Sequence, residues 1–524
     1  MNSSSHLLVS ASQMQALEQA MFAAGMPVAA LMEKASLGVA RQIARAFPTA
    51  RYRQVGCLIG AGHNGGDGLV VGRELALQGR RVRVWMPISQ AKPLTIEQAR
   101  YVQALGSDFV QDPTHLSGCD LLIDAMFGIG LTRPVEDPWR MAIDWANQSG
   151  IPILSLDLPS GLHSQTGHPL GSCIRAEVTY CLGLWKVGLW QEAAQPYVGR
   201  LERIDIGIPA FALNAVLPDA PPLHLLPSIP PFLPPPPAPT THKYRQGSLL
   251  LIGGSATYGG AAILLGLGSR YSGVGMVTLA LPASLHLLGL HWLPEVLIRA
   301  CGETEQGGIA SVGNLSWSDY DAIAIGPGLT AGDAPFWREW LEEASQIPSV
   351  VDADALNWLA RQPSTLWAQR QAPTILTPHA GEFQRLFPDI PFTDRLQAAQ
   401  VAAAQSNSIV VLKGSKTVIA APHGKTWVNP ASTTGLARGG SGDVLTGLMA
   451  GLLAQHLPAE EVACLAVWWH SQVARRLAEQ RSRRGVDPVH LAEAFAQFPL
   501  ESLADSQPEE NPSLPWARFA GGEL

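Results

Sequence analysis

The stretch NPASTTGLARGGSGDVLTG, residues 429–447, decides the fold of the larger half of the chain. Glycines surround Ser441, and apolar residues at helical spacing follow Asp443, which predicts a glycine-rich turn running into a helix. The free N–H groups of such a turn and the helix dipole bind anions, most often phosphate. A carboxylate there would repel an anion, so its presence needs a functional reason. One such reason is that it takes a proton from a hydroxyl that attacks phosphorus. The structural alternative is that Ser441 caps the helix and Asp443 favours its first turn.

The composition indicates a soluble protein of two or three domains. Of the 524 residues, 47% are hydrophobic and 15% are charged, and the net charge of −7 argues against a nucleic-acid-binding surface. The start MNSSSHLLVS does not resemble a signal peptide, and we find no apolar run of about 18 residues. The six cysteines form no C-x-x-C motif. We expect a cytoplasmic homo-oligomer with no nucleic-acid or membrane partner.

A proline-rich segment divides the sequence. It includes PPLHLLPSIPPFLPPPPAPTT, and this density of proline predicts an extended, semi-rigid spacer. We therefore predict an N-terminal domain at residues 1–216, a linker at 217–241 and a C-terminal domain at 242–503. The polar, proline-containing residues 504–524 are predicted to be a flexible tail.

Both domains show alternating strand and helix patterns, which predict α/β folds with parallel, doubly wound sheets. In such sheets, ligands bind outside the carboxyl ends of the strands. The predicted strands of the first domain are 55–59, 82–86, 121–125, 153–156 and 178–182, and its predicted helices include 12–24, 27–47, 68–77 and 96–105. The predicted strands of the second domain are 277–280, 322–325, 350–351, 375–376 and 409–412.

The first of these strands ends in GAGHNGGDG, residues 60–68. Gly60, Gly62 and Gly65 match the G-x-G-x-x-G pattern of dinucleotide-binding turns. The acidic residue that should end the next strand is missing, because that strand reads RVRVWMP. The pattern alone therefore does not establish a dinucleotide site.

Side-chain oxygens follow three strands of the first domain. Asn64, Asp124 and Ser160 are expected at one rim of the sheet, where oxygen ligands suit a hard cation. A single carboxylate favours a monovalent ion over a divalent one. The structural alternatives are that Asp124 and Asp157 cap turns and that Asn64 forms an Asx-turn.

Together, NGGDG, DAMFGIGLTR, DLPSG and LWKVG resemble the NAD(P)H-hydrate epimerase domain, although Trp185 stands where that family usually has proline. The resemblance implies that Asn64, Asp124 and Ser160 bind K⁺. It also implies that Asp157 and Lys186 transfer protons at C6 of the hydrated nicotinamide cofactor NAD(P)HX. The implied hydrate contacts are His63, Asn64, Gly65, Gly66, Asp67, Gly128, Ile129, Gly130, Leu131, Thr132, Arg133, Pro134 and Asp157.

The second domain begins with Gly254 and Gly259 at P-loop spacing, but Gly260 and Ala261 replace the required Lys and Ser/Thr. A Walker-type site is therefore rejected. Polar residues again follow the strands: Asp352, Asp354, His379, Glu382, Lys413 and Thr417. The alternatives are that the lysines of KGSKT are solvated hairpin residues and that His379 has a structural partner.

In order, GPGL, DADAL, TPHAGE, LKGSKT and GGSGD resemble the ADP-dependent NAD(P)H-hydrate dehydratase domain of the ribokinase-like superfamily. The implied hydrate contacts are Ala262, Gly328, His379 and Asp443. The implied ADP or AMP contacts are Lys413, Gly414, Ser415, Lys416, Thr417 and Gly442, with Mg²⁺ on the phosphates. The fold class predicted for the whole chain is α/β, with an N-terminal Rossmann-like three-layer sandwich and a C-terminal ribokinase-like domain.

With both halves matched, the chain resembles the bifunctional NAD(P)H-hydrate repair enzymes. The resemblance implies epimerisation of R- and S-NADHX and NADPHX, and dehydration of the S form to NAD(P)H with ADP, releasing AMP and phosphate. ADP is favoured over ATP because the fused form resembles bacterial enzymes. Two alternatives remain: a ribokinase-like kinase for a small vitamin alcohol, and an N-terminal domain that is a binding or scaffold module.

Overall fold

The computed structural model describes residues 3–87, 90–217, 223–227, 233–234, 238–330, 332 and 334–500. The chain divides into two compact units, unit 1 ending at residue 222 and unit 2 beginning at residue 223. The predicted tail at 504–524 lies outside the described residues, as do residues 218–222, 228–232 and 235–237 of the predicted linker. None of the described helices is both long and apolar enough to cross a membrane.

Unit 1 is an α/β sandwich. Its strands are β1 (Leu7–Val9), β2 (Gln54–Ile59), β3 (Arg81–Trp85), β4 (Asp108–Val110), β5 (Leu121–Ala125), β6 (Ile153–Leu156), β7 (Val178–Leu182), β8 (Trp185–Lys186) and β9 (Arg200–Ile204). Its α-helices are α1 (Ala11–Ala23), α2 (Val28–Ala46), α3 (His63–Leu77), α4 (Pro93–Ala104), α5 (Trp139–Gln148), α6 (Gln195–Val198) and α7 (Ala210–Val216).

The main sheet of unit 1 is parallel, in the order β4-β3-β2-β5-β6-β7-β9. The strand order reverses between β2 and β5, which is where such folds bind ligands. Alternate strand residues face opposite sides: Val55 and Cys57 pack with α2 and α3, whereas Leu58 packs with α5. Helices therefore cover both faces, and the predicted three-layer fold is confirmed.

Unit 2 is built around a larger mixed sheet. Its strands are β10 (Leu223–Leu225), β11 (Ser248–Ile252), β12 (Met276–Pro282), β13 (Leu297–Glu303), β14 (Ile309–Ser311), β15 (Ala322–Ile325), β16 (Ser349–Val351), β17 (Thr374–Leu376), β18 (Ile409–Leu412), β19 (Val418–Ala420) and β20 (Thr426–Val428). Its α-helices are α8 (Gly259–Arg270), α9 (His286–Trp292), α10 (Phe336–Glu342), α11 (Asp354–Leu359), α12 (Ser364–Trp367), α13 (Ala380–Leu386), α14 (Arg395–Ser406), α15 (Ser441–Leu453), α16 (Ala459–Arg481) and α17 (Pro488–Gln497).

The strands of unit 2 follow the order β14-β13-β12-β11-β15-β16-β17-β18-β19-β20-β10, and they are parallel from β13 to β18. Helices α8 and α15 pack closely because each helix has a glycine that faces the backbone of the other helix. A Cβ on Gly268 would lie 2.2 Å from the Val444 carbonyl oxygen, and one on Gly447 would lie 2.0 Å from that of Leu265. This contact fixes the start of α15 relative to the sheet.

Two local differences from the sequence predictions affect the sites. Helix α3 begins at His63, not at residue 68, because its glycines serve close packing: a Cβ on Gly68 would lie 2.4 Å from the Ala125 Cβ. In the segment predicted as a linker, residues 223–225 form β10, which pairs in parallel with β20. The predicted linker thus contains a short strand.

Candidate functional site

A cavity of about 970 Å³ lies where the strand order of unit 1 reverses. Its walls come from the start of α3, the loop after β5, the end of β6 and β8. It brings together these predicted site residues: His63, Asn64, Asp67, Gly128, Ile129, Gly130, Leu131, Thr132, Arg133, Asp157 and Lys186.

Three predicted hydrate contacts are not among the cavity-lining residues: Gly65, Gly66 and Pro134. A Cβ on Gly65 would lie 2.0 Å from the Gly60 carbonyl oxygen, so this glycine is needed for the tight turn between β2 and α3. The contacts of these three residues with the hydrate stay predictions.

Asp157 and Lys186 form a buried ion pair on the cavity wall. Lys186 Nζ lies 2.5 Å from Asp157 Oδ1 and also donates to the Leu182 carbonyl oxygen, and the lysine side chain is 1% exposed. Burial alone would lower the pKa of Lys186, but the Asp157 carboxylate raises that pKa above its ordinary value. The lysine is therefore held as an ammonium, with Asp157 at a φ of 66°.

Asp124 and Ser160 contact each other, although neither is among the residues that line the cavity. The Asp124 carboxylate is fully buried and accepts from the Ser160 Oγ at 2.5 Å, the Ser160 N–H at 2.8 Å and the Ser155 Oγ at 2.7 Å. It also accepts from the Met126 N–H at 3.3 Å, so the turn contact considered from the sequence is present. Burial raises the pKa of Asp124, and no Lys, Arg or His forms an ion pair with it in the described part of the chain.

Asn64 contributes a second polar group to this rim. A Cβ on Gly128 would lie 3.4 Å from the Asn64 Cβ and 3.5 Å from Asp157 Oδ2, so both side chains flank the same loop. The Asn64 side-chain nitrogen is buried and has no hydrogen-bond partner among the residues described. A buried donor without a partner is unfavourable, which fits an amide that donates to an acceptor atom of a bound ligand.

In unit 2, the glycine-rich turn leads into α15 as the sequence predicts, but its capping differs. The N-cap is Gly440, at a φ of 95°, and no side chain caps the helix. The structural alternative in which Ser441 caps α15 is therefore wrong: Ser441 is the first helical residue, and its buried Oγ lacks a hydrogen-bond partner within the described ranges. The helix N–H groups at this turn stay free of side-chain caps.

Asp443 lies in the first turn of α15. Burial raises its pKa to about 7, and the negative charge of Asp352 adds to this effect, while Lys413 opposes it. A carboxylate with a pKa near neutrality can both accept and release a proton at physiological pH. This is the property that a general base at this position requires.

Three elements converge beside Asp443. Asp352 follows β16, is 1% exposed, and accepts from Lys413 Nζ at 2.7 Å through Oδ1 and from Thr446 Oγ1 at 2.7 Å through Oδ2. A Cβ on Gly442 would lie 3.3 Å from Lys413 Nζ, so the ammonium sits against the turn. The Asp352 charge, acting against burial, raises the pKa of Lys413. The sequence indicated Asp352 and Lys413 as strand-end residues, but it gave no signal for Thr446.

The loop between β18 and β19 carries KGSKT. The alternative of solvated lysines is wrong for Lys416, whose Nζ donates to the Pro430 carbonyl oxygen at 2.6 Å. Burial lowers the pKa of Lys416 to about 8. Thr417 Oγ1 donates to the Gly414 carbonyl oxygen at 3.1 Å, which closes the loop on itself. The predicted nucleotide contacts at residues 413–417 therefore belong to the hairpin between β18 and β19.

His379 has structural hydrogen-bond partners, which was the alternative to a binding role in the sequence analysis. Its Nδ1 accepts from the Gly381 and Glu382 N–H groups at 3.0 and 3.3 Å, and Glu382 accepts in turn from the His379 N–H at 2.8 Å. This capping box leaves Nε2 to carry the ring proton. Gly328 has a φ of 71°, and Ala262 is fully buried in α8, so the contacts of these two residues with the hydrate stay predictions.

The comparisons with known proteins agree with both halves of this description. Residues 249–497 match the family model described as NAD(P)H-hydrate dehydratase, and residues 28–188 match that of the YjeF-related protein N-terminus. The bifunctional NAD(P)H-hydrate repair enzyme of Synechocystis is 48% identical over 492 residues, covering 93% of each chain. That of Gloeobacter violaceus is 46% identical and covers 94% of this chain and 97% of its own.

The chain belongs to the family of bifunctional NAD(P)H-hydrate repair enzymes. Membership confirms the predicted resemblance, the α/β fold class and the enzyme class, an epimerase joined to a nucleotide-dependent dehydratase. Among solved structures, the ADP/ATP-dependent NAD(P)H-hydrate dehydratase of Bacillus subtilis, crystallised with ATP and Mg²⁺, is 32% identical. It covers 50% of this chain and 92% of its own, with a TM-score of 0.44.

Proposed function

We propose that unit 1 interconverts the R and S forms of NADHX and NADPHX, and that unit 2 dehydrates the S form with ADP, releasing AMP and phosphate. The main support for dehydration by unit 2 is Asp443, a carboxylate with a pKa of about 7 at the uncapped start of α15. An uncapped helix start offers N–H donors to a phosphate, and Asp443 is a base beside it.

In the proposed dehydration, Asp443 takes the proton from the C6 hydroxyl, whose oxygen attacks the terminal phosphoryl group of ADP. The N–H groups of the turn and the Lys413 ammonium stabilise the negative charge that develops on that group. The phosphorylated oxygen then leaves as phosphate, driven by the lone pair of the ring nitrogen, and loss of the C5 proton restores the dihydronicotinamide.

We propose Mg²⁺ as the metal of this site and ADP as its nucleotide. Burial raises the pKa of Asp443, and the negative charges of Asp352, Asp354 and Glu382 add to this, while Lys413 opposes it. The phosphates of a nucleotide bound here would bring further negative charge, and a hard divalent cation on those phosphates would supply charge neutralisation. Lys413, Gly414, Ser415, Lys416, Thr417 and Gly442 would hold the nucleotide.

In the proposed epimerisation, the Asp157–Lys186 pair transfers protons at C6. The pair is supported by its position on the cavity wall and by the contact of 2.5 Å between Lys186 Nζ and Asp157 Oδ1. We propose K⁺ at Asn64, Asp124 and Ser160. The support is that burial raises the pKa of Asp124, because a monovalent cation beside this carboxyl group would favour its ionised form.

The direct test is absorbance at 340 nm after adding the protein to a mixture of R- and S-NADHX with Mg²⁺ and either ADP or ATP. Full recovery of NADH with ADP supports both activities. Recovery that stops at the S fraction would contradict the epimerase. A stable phosphorylated product without NADH would contradict the dehydratase and favour a small-molecule kinase.

We also propose a cytoplasmic location, because all six cysteines are free thiols, as expected in a reducing compartment. The homo-oligomer predicted from the sequence stays a prediction, which sedimentation of the purified chain would check.

A further inference from the structure

The first helix of unit 1 presents a polar face to the cavity. Gln15, Glu18, Gln19 and Phe22 of α1 line it, at the i, i+3, i+4 and i+7 spacing of one helix face. The adjoining face, with Met14, Leu17 and Met21, is packed in the core. A capping box fixes the start of α1: the Ser10 Oγ accepts from the Gln13 N–H at 3.1 Å, and Gln13 accepts from the Ser10 N–H at 2.9 Å. The helix is therefore a firm wall of the cavity.

Glu18 is the one acid on this face. The charged groups that act on it are Asp157, Lys186 and Lys92, and Glu18 in turn acts on Asp67. The Lys186 ammonium is already bound to Asp157 and to the Leu182 carbonyl oxygen. Among the described residues, Glu18 has neither an ion pair nor a hydrogen bond. Its carboxyl group is thus available to a molecule in the cavity.

Glu18 and Asp157 have different charged groups around them. Burial raises the pKa of Glu18, and the negative charge of Asp157 raises it further. Asp157, in contrast, has the Lys186 ammonium at 2.5 Å, whereas Glu18 forms no ion pair with a described residue. Two carboxyl groups in different surroundings within one cavity are the usual arrangement for an acid and a base.

We propose that Glu18 is a second catalytic residue of the epimerisation, acting across the cavity from the Asp157–Lys186 pair. The inference rests on the proposed epimerase activity. The carboxylic acid of Glu18 gives its proton to the C6 hydroxyl; the C6–O bond breaks with its electrons going to oxygen, and the N1 lone pair forms the N1=C6 bond. Water then adds to the opposite face of C6 and gives a proton to Asp157. Asp157 then releases this proton to solvent water and Glu18 takes one up, which restores both residues, so that atoms and charges balance over one turnover.

Asp67 is the third acid that lines the cavity, besides Glu18 and Asp157, and it suits this role less well. Asp67 belongs to α3, and it is 9% exposed. Its Oδ1 already accepts a hydrogen bond from the Ser36 Oγ at 3.1 Å. The match to the N-terminal family model begins at residue 28, after α1 has ended. The motifs that identify the domain therefore carry no information about Glu18.

The test compares Glu18→Gln with Glu97→Gln, a control at an exposed glutamate of α4. The full chain is given pure S-NADHX without nucleotide, and the R form is measured by chromatography. Loss of a general acid is expected to slow epimerisation by about 10²–10⁴-fold, whereas Glu97→Gln keeps the normal rate. Dehydration of S-NADHX with ADP should be unchanged in both variants, which shows that the chain is folded.

A pH profile separates a catalytic role from a structural one. In the unaltered chain, kcat/KM for epimerisation should fall on the alkaline side as Glu18 loses its proton. Glu18→Asp should keep this fall, and Glu18→Gln should lose it. A Glu18→Gln variant that epimerises as fast as the unaltered chain would overturn the role of Glu18 alone. If the unaltered chain itself does not epimerise, the proposed activity of unit 1 is overturned and this role with it.

Discussion

A close lysine–aspartate pair lies in each unit, and the two pairs have different surroundings. In unit 1, Lys186 lies 2.5 Å from Asp157, and both line the cavity. In unit 2, Lys413 lies 2.7 Å from Asp352, but both Asp352 oxygens are occupied, one by Lys413 and the other by Thr446.

The consequence is that the lysine of unit 2 is bound to a carboxylate other than the proposed base, Asp443. Burial raises the pKa of Asp443 to about 7, and the charge of Asp352 adds to this, while Lys413 opposes it. In unit 1 the paired aspartate is itself the candidate reacting group. The lysine thus contacts the candidate reacting acid in one site and a neighbour of that acid in the other.

The largest expected effect comes from Asp443→Asn. The amide cannot accept the hydroxyl proton, so dehydration of S-NADHX should slow by about 10²–10⁴-fold. Epimerisation should keep its normal rate, measured by chromatography without nucleotide. A parallel loss of both activities would contradict the division of labour between the units.

Lys186→Met breaks the pair of unit 1 and leaves Asp157 as an unpaired buried charge. We expect a loss of about 3–5 kcal/mol in the free energy of unfolding of unit 1, together with the loss of epimerisation. Amide hydrogen exchange should become faster in β6 and β7 and stay unchanged in unit 2. Lys34→Met, at an exposed lysine of the same unit, is the control and should change neither. Unchanged protection in the Lys186 variant would contradict the role of the pair.

The pH dependence of dehydration should follow Asp443. Because the base must be ionised and its pKa is about 7, the rate should fall about tenfold per pH unit below that value. The folded-state pKa is raised, so Asp443 favours the folded state below its unfolded pKa, and this contribution is lost as the pH rises through about 7. Asp443→Asn should therefore raise the melting temperature at pH 8 but not at pH 4. A rate independent of pH between 5 and 8 would argue against Asp443 as the base.

Thr446→Val should have the smallest effect. It removes the hydrogen bond to Asp352 Oδ2 and leaves that oxygen buried, which costs about 1–3 kcal/mol. We expect a modest fall in kcat/KM for ADP, with epimerisation unchanged. Thr446→Ser keeps the hydroxyl and should behave as the unaltered chain; equal losses in both variants would show that the hydrogen bond is not the cause.

Much of the framework could be predicted from the sequence, because parallel strands bring their carboxyl ends to one edge. Strands 121–125, 153–156 and 178–182 match β5, β6 and β7, and Asp157 follows β6 at the cavity wall as expected. Glycines were harder to interpret. Those of 65–68 indicated a turn, but they lie inside α3, since only tertiary contact reveals a glycine needed for packing.

The partners within the sites could not be predicted. Thr446 is separated from Asp352 by 94 residues, and no local pattern records their hydrogen bond. Glu18 belongs to an amphipathic helix without a motif, and it reaches the cavity only through the packing of α1. The alternative that Ser441 caps α15 was wrong. Gly440, at a positive φ, is the N-cap, and Ser441 is the first residue of the helix.

The central claim is that the two sites act independently in one chain, and a mixing experiment tests it most directly. NADH recovery from R- and S-NADHX with ADP and Mg²⁺ is followed at 340 nm for Asp443→Asn, Asp157→Asn and their equimolar mixture. Within the time that the unaltered chain needs, the first variant should recover almost nothing and the second only the S fraction, whereas the mixture should recover all. A mixture that recovers no more than Asp157→Asn alone would contradict the account.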